Sequence, residues 1–346
     1  MKKLLLTLLA LLTAAAGGAA WKFSPGFASL PLEELERRHA TPDSKFADVD
    51  GVRVHYMDQG SGPAVVLLHA SFMHLRTWDS LAKALSPSFR VIRLDLLNAG
   101  LTGPEPNGNY RMDRNVELVE GLLAQLGVDR YAIVATSSGG IVGFRLAAKR
   151  PENVTRLVLI NSAGMPRTAA TNPNRPRGNA LTRWIAANYV SPDMLRAQLQ
   201  QNFVLPNTPP EWLIQMNYDL NRRAGRQESG ALQMKQFETG DPEATLANVR
   251  APTLVLWGLE NATVMHLEAD VFQHWLVNAP TLKKKYPGLG HYAYLEDPPI
   301  VEADMLAFLQ GELDGELRVV TRSAWTPPVT ASATPAGAPP VAAPAR

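Results

Sequence analysis

From Lys45 to about Leu313 the chain alternates short runs of apolar and β-branched residues with longer amphipathic stretches. Short runs apolar at every position belong to strands covered on both faces, and the amphipathic segments between them supply the cover. The pattern predicts an α/β fold, a mostly parallel sheet with helices on both sides. Eight strands are expected. Lys45–Val49 and Val52–Tyr56 form a hairpin, because the Asp50-Gly51 pair between them suits a turn that needs positive φ at both central residues. The others are Ala64–His69, Phe89–Leu96, Tyr131–Ala135, Arg156–Asn161, Thr253–Trp257 and Leu282–Tyr286.

Among the helices, Asp113–Leu126 places Val116, Val119, Leu122, Leu123 and Leu126 on one face, opens at a capping-type Asp and stops at Gly127. Asp297-Pro298 opens the last core helix. The alternation breaks between Gly164 and Val249, where no strand-like run occurs and helices are expected to start at Ser191-Pro192, at Thr208-Pro209-Pro210-Glu211 and at Asp241-Pro242. This stretch is expected to be a helical cap inserted after strand 6. Its Trp184, Ile185, Tyr189, Phe203, Trp212, Leu213, Met216 and Tyr218 are enough to pack on the core and still line a pocket.

The ends differ in kind. Met1-Lys2-Lys3 precedes an unbroken apolar stretch from Leu4 to Ala20, the layout of a signal peptide or, if uncleaved, of an N-terminal membrane anchor. Either places the rest outside the cytoplasm, periplasmic or secreted, or held at the inner membrane by residues 4–20. Membrane contact is expected through that segment only. Thr326–Arg346 is almost entirely Pro, Ala, Thr, Ser, Gly and Val without period, which reads as a disordered tail. The division expected is residues 1–20 as signal or anchor, 21–44 as linker, 45–164 as the first part of the core, 165–249 as the cap, 250–315 as the second part of the core, and 316–346 as tail. The net charge of +2, from 34 basic and 32 acidic residues, comes without basic runs, so nucleic acid is not an expected partner. The absence of cysteine excludes disulfides, thiolate metal sites and a Cys nucleophile.

The chemistry concentrates at Val134-Ala135-Thr136-Ser137-Ser138-Gly139-Gly140, where a strand runs through a sharp turn into a helix. Such an elbow exposes a nucleophile at its tip and needs small residues two before and two after it, where strand and helix crowd. For Ser137 those positions are Ala135 and Gly139. For Ser138 they would be Thr136 and Gly140, with a β-branched side chain in the crowded place, so Ser137 is the candidate nucleophile. "LLHASF", Leu67–Phe72, ends an early strand, and "GLGHYAYLEDP", Gly288–Pro298, follows the last one.

The order Ser137, an acid near residue 260, then His291 resembles the α/β-hydrolase superfamily over roughly Lys45 to Leu313. In detail it resembles its cap-bearing, esterase-like serine hydrolases, with "VDGVRVHY" (Val49–Tyr56) and "LDLLNAGLTGP" (Leu94–Pro104) as further matching stretches. The resemblance implies acyl transfer without a metal or organic cofactor. His291 would take the Ser137 Oγ proton as it attacks a carbonyl, and the backbone N–H groups of Ser71 and Ser138 would form the oxyanion hole. It implies a small-molecule ester or acyl substrate. Serine at position 137 disfavours the relatives with an aspartate nucleophile, haloalkane dehalogenases and epoxide hydrolases.

Three motifs depart from the superfamily pattern: His69-Ala70 for His-Gly, Leu97-Asn98-Ala99-Gly100 for Pro-Gly-x-Gly, and Trp257-Gly258-Leu259-Glu260-Asn261 for a Trp-Gly segment ending in Asp. The acid position is therefore Asn261. Three arrangements stay open: Asn261 orients His291, the adjacent Glu260 serves as the acid, or no third member works. The other familiar acid site, after strand 6, is Asn161-Ser162 and offers no carboxylate. His69 is expected to be a hydrogen-bonded structural residue, His55, His74, His266 and His274 structural or exposed, and Asp95 a holder of its loop. Two functional classes follow: an exported serine hydrolase, or a relative with little or no catalysis that binds a small apolar ligand or a protein partner.

Overall fold

The computed structural model describes residues 28–165 and 189–319. Among them lie eight strands in one sheet: β1 (Lys45–Val49), β2 (Val52–Gln59), β3 (Ala64–Leu68), β4 (Arg90–Leu94), β5 (Tyr131–Thr136), β6 (Val154–Ile160), β7 (Thr253–Gly258) and β8 (Thr281–Tyr286), in the order β1-β2-β4-β3-β5-β6-β7-β8. β2 is antiparallel to both its neighbours, and every pairing from β4 to β8 is parallel. The central strands are buried along their whole length, as their continuous apolar runs require. Alternate residues feed two cores. Val66, Leu68, Ile133 and Ala135 face one, and Val65, Leu67, Ala132 and Val134 the other.

Eleven α-helices are described: α1 (Leu32–His39), α2 (Asp79–Leu85), α3 (Met112–Gln125), α4 (Ser138–Lys149), α5 (Pro192–Gln200), α6 (Glu211–Asn221), α7 (Arg226–Gln236), α8 (Pro242–Leu246), α9 (Glu268–Trp275), α10 (Ala293–Glu296) and α11 (Pro298–Gln310). The core on one face of the sheet draws on α3, α4 and α9, the other on α2 and α11. α5 to α8 form the insertion between β6 and β7. The edge strand β8 is blunted by charge: Lys283 and Lys285 pair with Asp270, and Lys284 with Asp304.

Ser191, Asp241 and Asp297 cap α5, α8 and α11 as expected, each side chain accepting a backbone N–H of the first turn. Four expectations need correction. The tail expected from residue 316 begins later, because Arg318 exchanges both backbone hydrogen bonds with Thr281 of β8, at 2.8 and 3.1 Å. α3 begins at Met112, so Asp113 lies in its first turn and supports it through the helix dipole rather than as a cap. α6 begins after Pro210, with no cap from Thr208. Most of all, the stretch expected to be a linker, 21–44, contains α1. That helix buries Leu35 and pairs Glu36 with Arg53 and His39 with Asp219 of α6, partners too remote in sequence to be read from eight mostly charged residues. No helix among the described residues is long and apolar enough to cross a membrane. The apolar segment 4–20, Trp184, Ile185 and the tail beyond residue 319 lie outside the described residues.

Candidate active site

β5 ends at Thr136 and α4 starts at Ser138, so Ser137 alone makes the turn. Its backbone sits at φ 50° and ψ −123°, a conformation that residues with a Cβ rarely adopt. The end of β6 holds it there. Ser137 N–H donates to Ile160 O at 3.1 Å, and Ser137 O accepts from Gly140 N and Ala163 N at 2.9 Å each. A Cβ on Gly139 would stand 2.4 Å from His69 O and 2.6 Å from Leu68 O, so the position two after the serine has no room for one. The position two before it is crowded from the helix side, where a Cβ on Gly143 would come within 2.8 Å of the Ala135 methyl. Glycine at 143 is what makes room for alanine at 135.

The loop after β8 brings His291 to this elbow, with its Nε2 2.9 Å from Ser137 Oγ. On the other side of the ring, Nδ1 lies 3.2 Å from Oδ1 of Asn261, in the loop after β7. That Oδ1 also accepts the backbone N–H groups of Thr263 and Val264, both at 3.0 Å. Two fixed donors identify the atom as the amide oxygen. Nδ1 must then carry the ring proton, and Nε2 is left to accept from the Ser137 hydroxyl. The amide thus selects the tautomer that a carboxylate would select, while bringing no charge. The consequence falls on its other half: Asn261 Nδ2 is buried with no hydrogen-bond partner among the described residues. Glu260, the alternative acid, is exposed, and its carboxylate accepts Gly288 N–H at 2.8 Å. It fastens the loop leading to His291; Asn261 is the residue brought to the imidazole.

A residue that sequence reasoning valued only for lacking a carboxylate turns out to hold the loops in place. Asn161, fully buried at the end of β6 with φ 45°, donates through Nδ2 to Gly290 O at 3.1 Å and His291 O at 2.9 Å. Its Oδ1 accepts Gly258 N–H at 3.0 Å. One side chain therefore ties the end of β7 to the peptide of His291. His291 N–H donates to Asn202 O of the insertion at 3.0 Å, and Gly290 N–H to Glu296 at 2.8 Å. Burial pushes the Glu296 carboxyl up, against the backbone donors of Val204 and Gly290. The signal in the sequence was an Asn where a strand ends, since Asn tolerates the left-handed region better than other residues with a Cβ.

Ser138 and Ser71, the expected oxyanion donors, are adjacent: Ser71 Oγ donates to Ser138 Oγ at 2.8 Å. Ser138 is the first residue of α4, where N–H groups have no partner within the helix and the dipole favours negative charge. Beside them His69 is structural, its Nε2 accepting Leu96 N–H at 3.0 Å, and burial pushes its pKa down. Asp95 holds its loop by accepting Leu75 N–H at 2.7 Å, Leu101 N–H at 2.9 Å and His55 Nδ1–H at 2.6 Å. Burial opposes its ionisation, but the bond from His55 and its charge, with His69 and His74 nearby, outweigh burial and hold the carboxyl well below the usual range. A carboxylate–imidazole pair thus exists in this protein, at a different histidine from the one facing Ser137. Among the described residues no group of three or more His, Asp and Glu is placed to hold a metal ion.

A family model described as the α/β hydrolase fold matches residues 63–298, a span containing Ser71, Ser137, Asn261 and His291. The chain belongs to the α/β-hydrolase fold family. It is similar to haloalkane dehalogenase 2 of Mycobacterium tuberculosis (strain H37Rv), with 25% identity over 268 residues, covering 70% of this chain and 88% of that protein. It is also similar to the pimeloyl-[acyl-carrier protein] methyl ester esterase of Nitrosomonas europaea, with 27% identity over 263 residues, 71% of this chain and 95% of that one. Among solved structures, one described as a membrane phospholipase A and bacterial virulence factor superposes with a TM-score of 0.66 at 25% identity, over 90% of this chain and 99% of its own. All three of these α/β-hydrolase relatives are hydrolases by name, and at that level the present chain is one too.

Proposed function

We propose that this α/β hydrolase is a serine hydrolase of carboxylic esters, with Ser137 as nucleophile, His291 as general base, Asn261 as the residue that orients the imidazole, and the N–H groups of Ser71 and Ser138 as oxyanion donors. The observation that carries this reading is the 2.9 Å contact between Ser137 Oγ and His291 Nε2, made at a strained elbow by a ring whose tautomer is already the productive one. Attack on an ester gives an acyl-enzyme whose carbonyl water can attack in turn. Attack of the same hydroxyl on an alkyl halide would give an ether with no carbonyl, so the chemistry named for the dehalogenase relative does not fit a serine here. The names of the other two relatives, a methyl ester esterase and a phospholipase, agree with an ester substrate.

The apolar run 4–20 supports a protein held or released outside the cytoplasm, and the likeness to a protein described as a membrane phospholipase agrees with an anchored form. A fluorophosphonate probe should label Ser137, and labelling should vanish in Ser137→Ala and His291→Ala. Absence of labelling on well-folded protein at high probe concentration overturns the catalytic reading. It would favour the second one, a ligand-binding relative, which the uncharged Asn261 motivates.

A further inference from the structure

The corner between α6 and α7 carries two arginines, Arg223 and Arg226, into the seam between the insertion and the core. Both approach only neutral oxygens. Arg223 donates to Thr102 O at 2.7 Å, Gly100 O at 3.4 Å and Asn98 Oδ1 at 3.3 Å, and Arg226 donates to Asn98 O. Neither forms an ion pair among the described residues, whereas neighbouring Arg222 pairs with Asp219 at 2.8 Å. Residues 1–27, 166–188 and 320–346 contain no Asp or Glu that could supply one. Burial lowers the Arg226 pKa to about 10, with Arg223 adding to the effect. Arg223 is buried and Arg226 partly buried beside it; the Asp95 carboxylate acts on Arg223 only through space, being already bonded to Leu75 N–H, Leu101 N–H and His55, so neither guanidinium has a carboxylate in contact and an added anion would stabilise the pair.

A second observation points the same way. Asn217 of α6 lines the same small cleft, and its Nδ2 is buried with no partner. All three side chains are donors, and the cleft between them offers no acidic group in return. Phe72 and Met73, which follow directly on Ser71, line it as well. Phe72 stands at φ 63° and is 53% exposed, the strained and unburied placement of a bulky residue that clusters at ligand sites. The cleft therefore shares a wall with the candidate oxyanion loop. The loop after β4 lines it too, and β4 lies two places, roughly 10 Å, from β5, which leads into Ser137.

We propose that Asn217, Arg223 and Arg226 form an anion subsite that receives a carboxylate or phosphate at the far end of the acyl substrate. The placement beside the reacting ester rests on the reading of Ser137; the binding of an anion does not. The test separates the two. In Ser137→Ala protein, calorimetry measures binding of monomethyl suberate, octyl phosphate and uncharged dimethyl suberate. At least one anion should bind about 10-fold or more tightly than the neutral diester, and which one does so identifies the group as carboxylate or phosphate.

Adding Asn217→Asp, which keeps the side-chain shape and brings a negative charge to the arginines, should erase that preference, as should Arg226→Gln. Equal binding of all three compounds, no binding at all, or a preference that survives both substitutions overturns the proposal. Turnover is then compared on protein with Ser137 intact. A preserved anion preference in binding without hydrolysis of any ester would sink the catalytic reading alone and leave the subsite standing.

Discussion

Asn261→Asp isolates what charge contributes to a serine–histidine pair whose tautomer is already fixed. In a serine protease, exchanging the triad Asp for Asn lowers turnover about 10⁴-fold, a loss attributed to the wrong imidazole tautomer. Here the tautomer term is absent, because Thr263 N–H and Val264 N–H, each 3.0 Å away, pin the amide oxygen toward His291. Only the missing charge remains. A carboxylate about 4 Å from the developing imidazolium gives about 4 kcal/mol at an effective dielectric constant of ~20. Some of this is lost because the new oxygen replaces the unpartnered Nδ2 and is itself buried without a donor.

A net stabilisation of the transition state by about 2 to 3 kcal/mol corresponds to a gain of roughly 30- to 150-fold. The assay is kcat/KM for p-nitrophenyl butyrate, with Ser137→Ala as blank and thermal unfolding as control for folding. An unchanged or lower rate in folded protein refutes the reasoning that Asn261 occupies the acid position of a working site. A gain of about 10⁴-fold would refute the narrower point, since it would mean that the amide had been holding the wrong tautomer.

Other perturbations test the surroundings. Gly139→Ala should abolish activity and cost about 3 kcal/mol of stability in urea unfolding, because the new methyl meets the carbonyls of Leu68 and His69, which cannot move aside; Ala135→Gly should cost only about 1 kcal/mol and keep the fold. His74 is fully buried, neither ring nitrogen has a hydrogen-bond partner among the described residues, and burial pushes its pKa from 6.5 down to about 3. Between these values the unfolded chain binds a proton that the folded one does not, so stability is whole above pH 6.5 and falls by about 1 kcal/mol per unit toward pH 3. In His74→Leu the decline measured between pH 7 and pH 5 should be flatter by that amount, with the shift of buried His69 still contributing in the same direction; an unaltered slope refutes the assignment.

The parts of this molecule legible in its sequence are those fixed by local pattern. The strands came through because runs such as Ala64-Val65-Val66-Leu67-Leu68 are apolar on both faces, and the elbow because crowding at a strand–helix turn restricts side-chain size whatever the substrate. What stayed hidden depends on distant partners. α7 was not anticipated because its sequence, Arg226–Gln236, is mostly polar; it docks by hydrogen bonds, with Ser229 and Gln233 meeting Asn98 and Gln236 accepting Tyr110 N–H. Spacing alone allowed either Asn261 or Glu260 beside the histidine, since a rotation of the loop by one residue interchanges them. The donors of Thr263, Val264 and Gly288 decide between them, and those are backbone groups that carry no sequence signature.

The bridge made by Asn161 has a bearing on how such sites can be altered. It secures the main chain of His291 to β6 and β7, so the location of that backbone does not depend on the third residue, which orients the ring and sets where its proton resides. Location and protonation are thereby entrusted to different side chains. A substitution at 261 can retune the base as one turns a dial, while the frame that carries it stays where β6 put it.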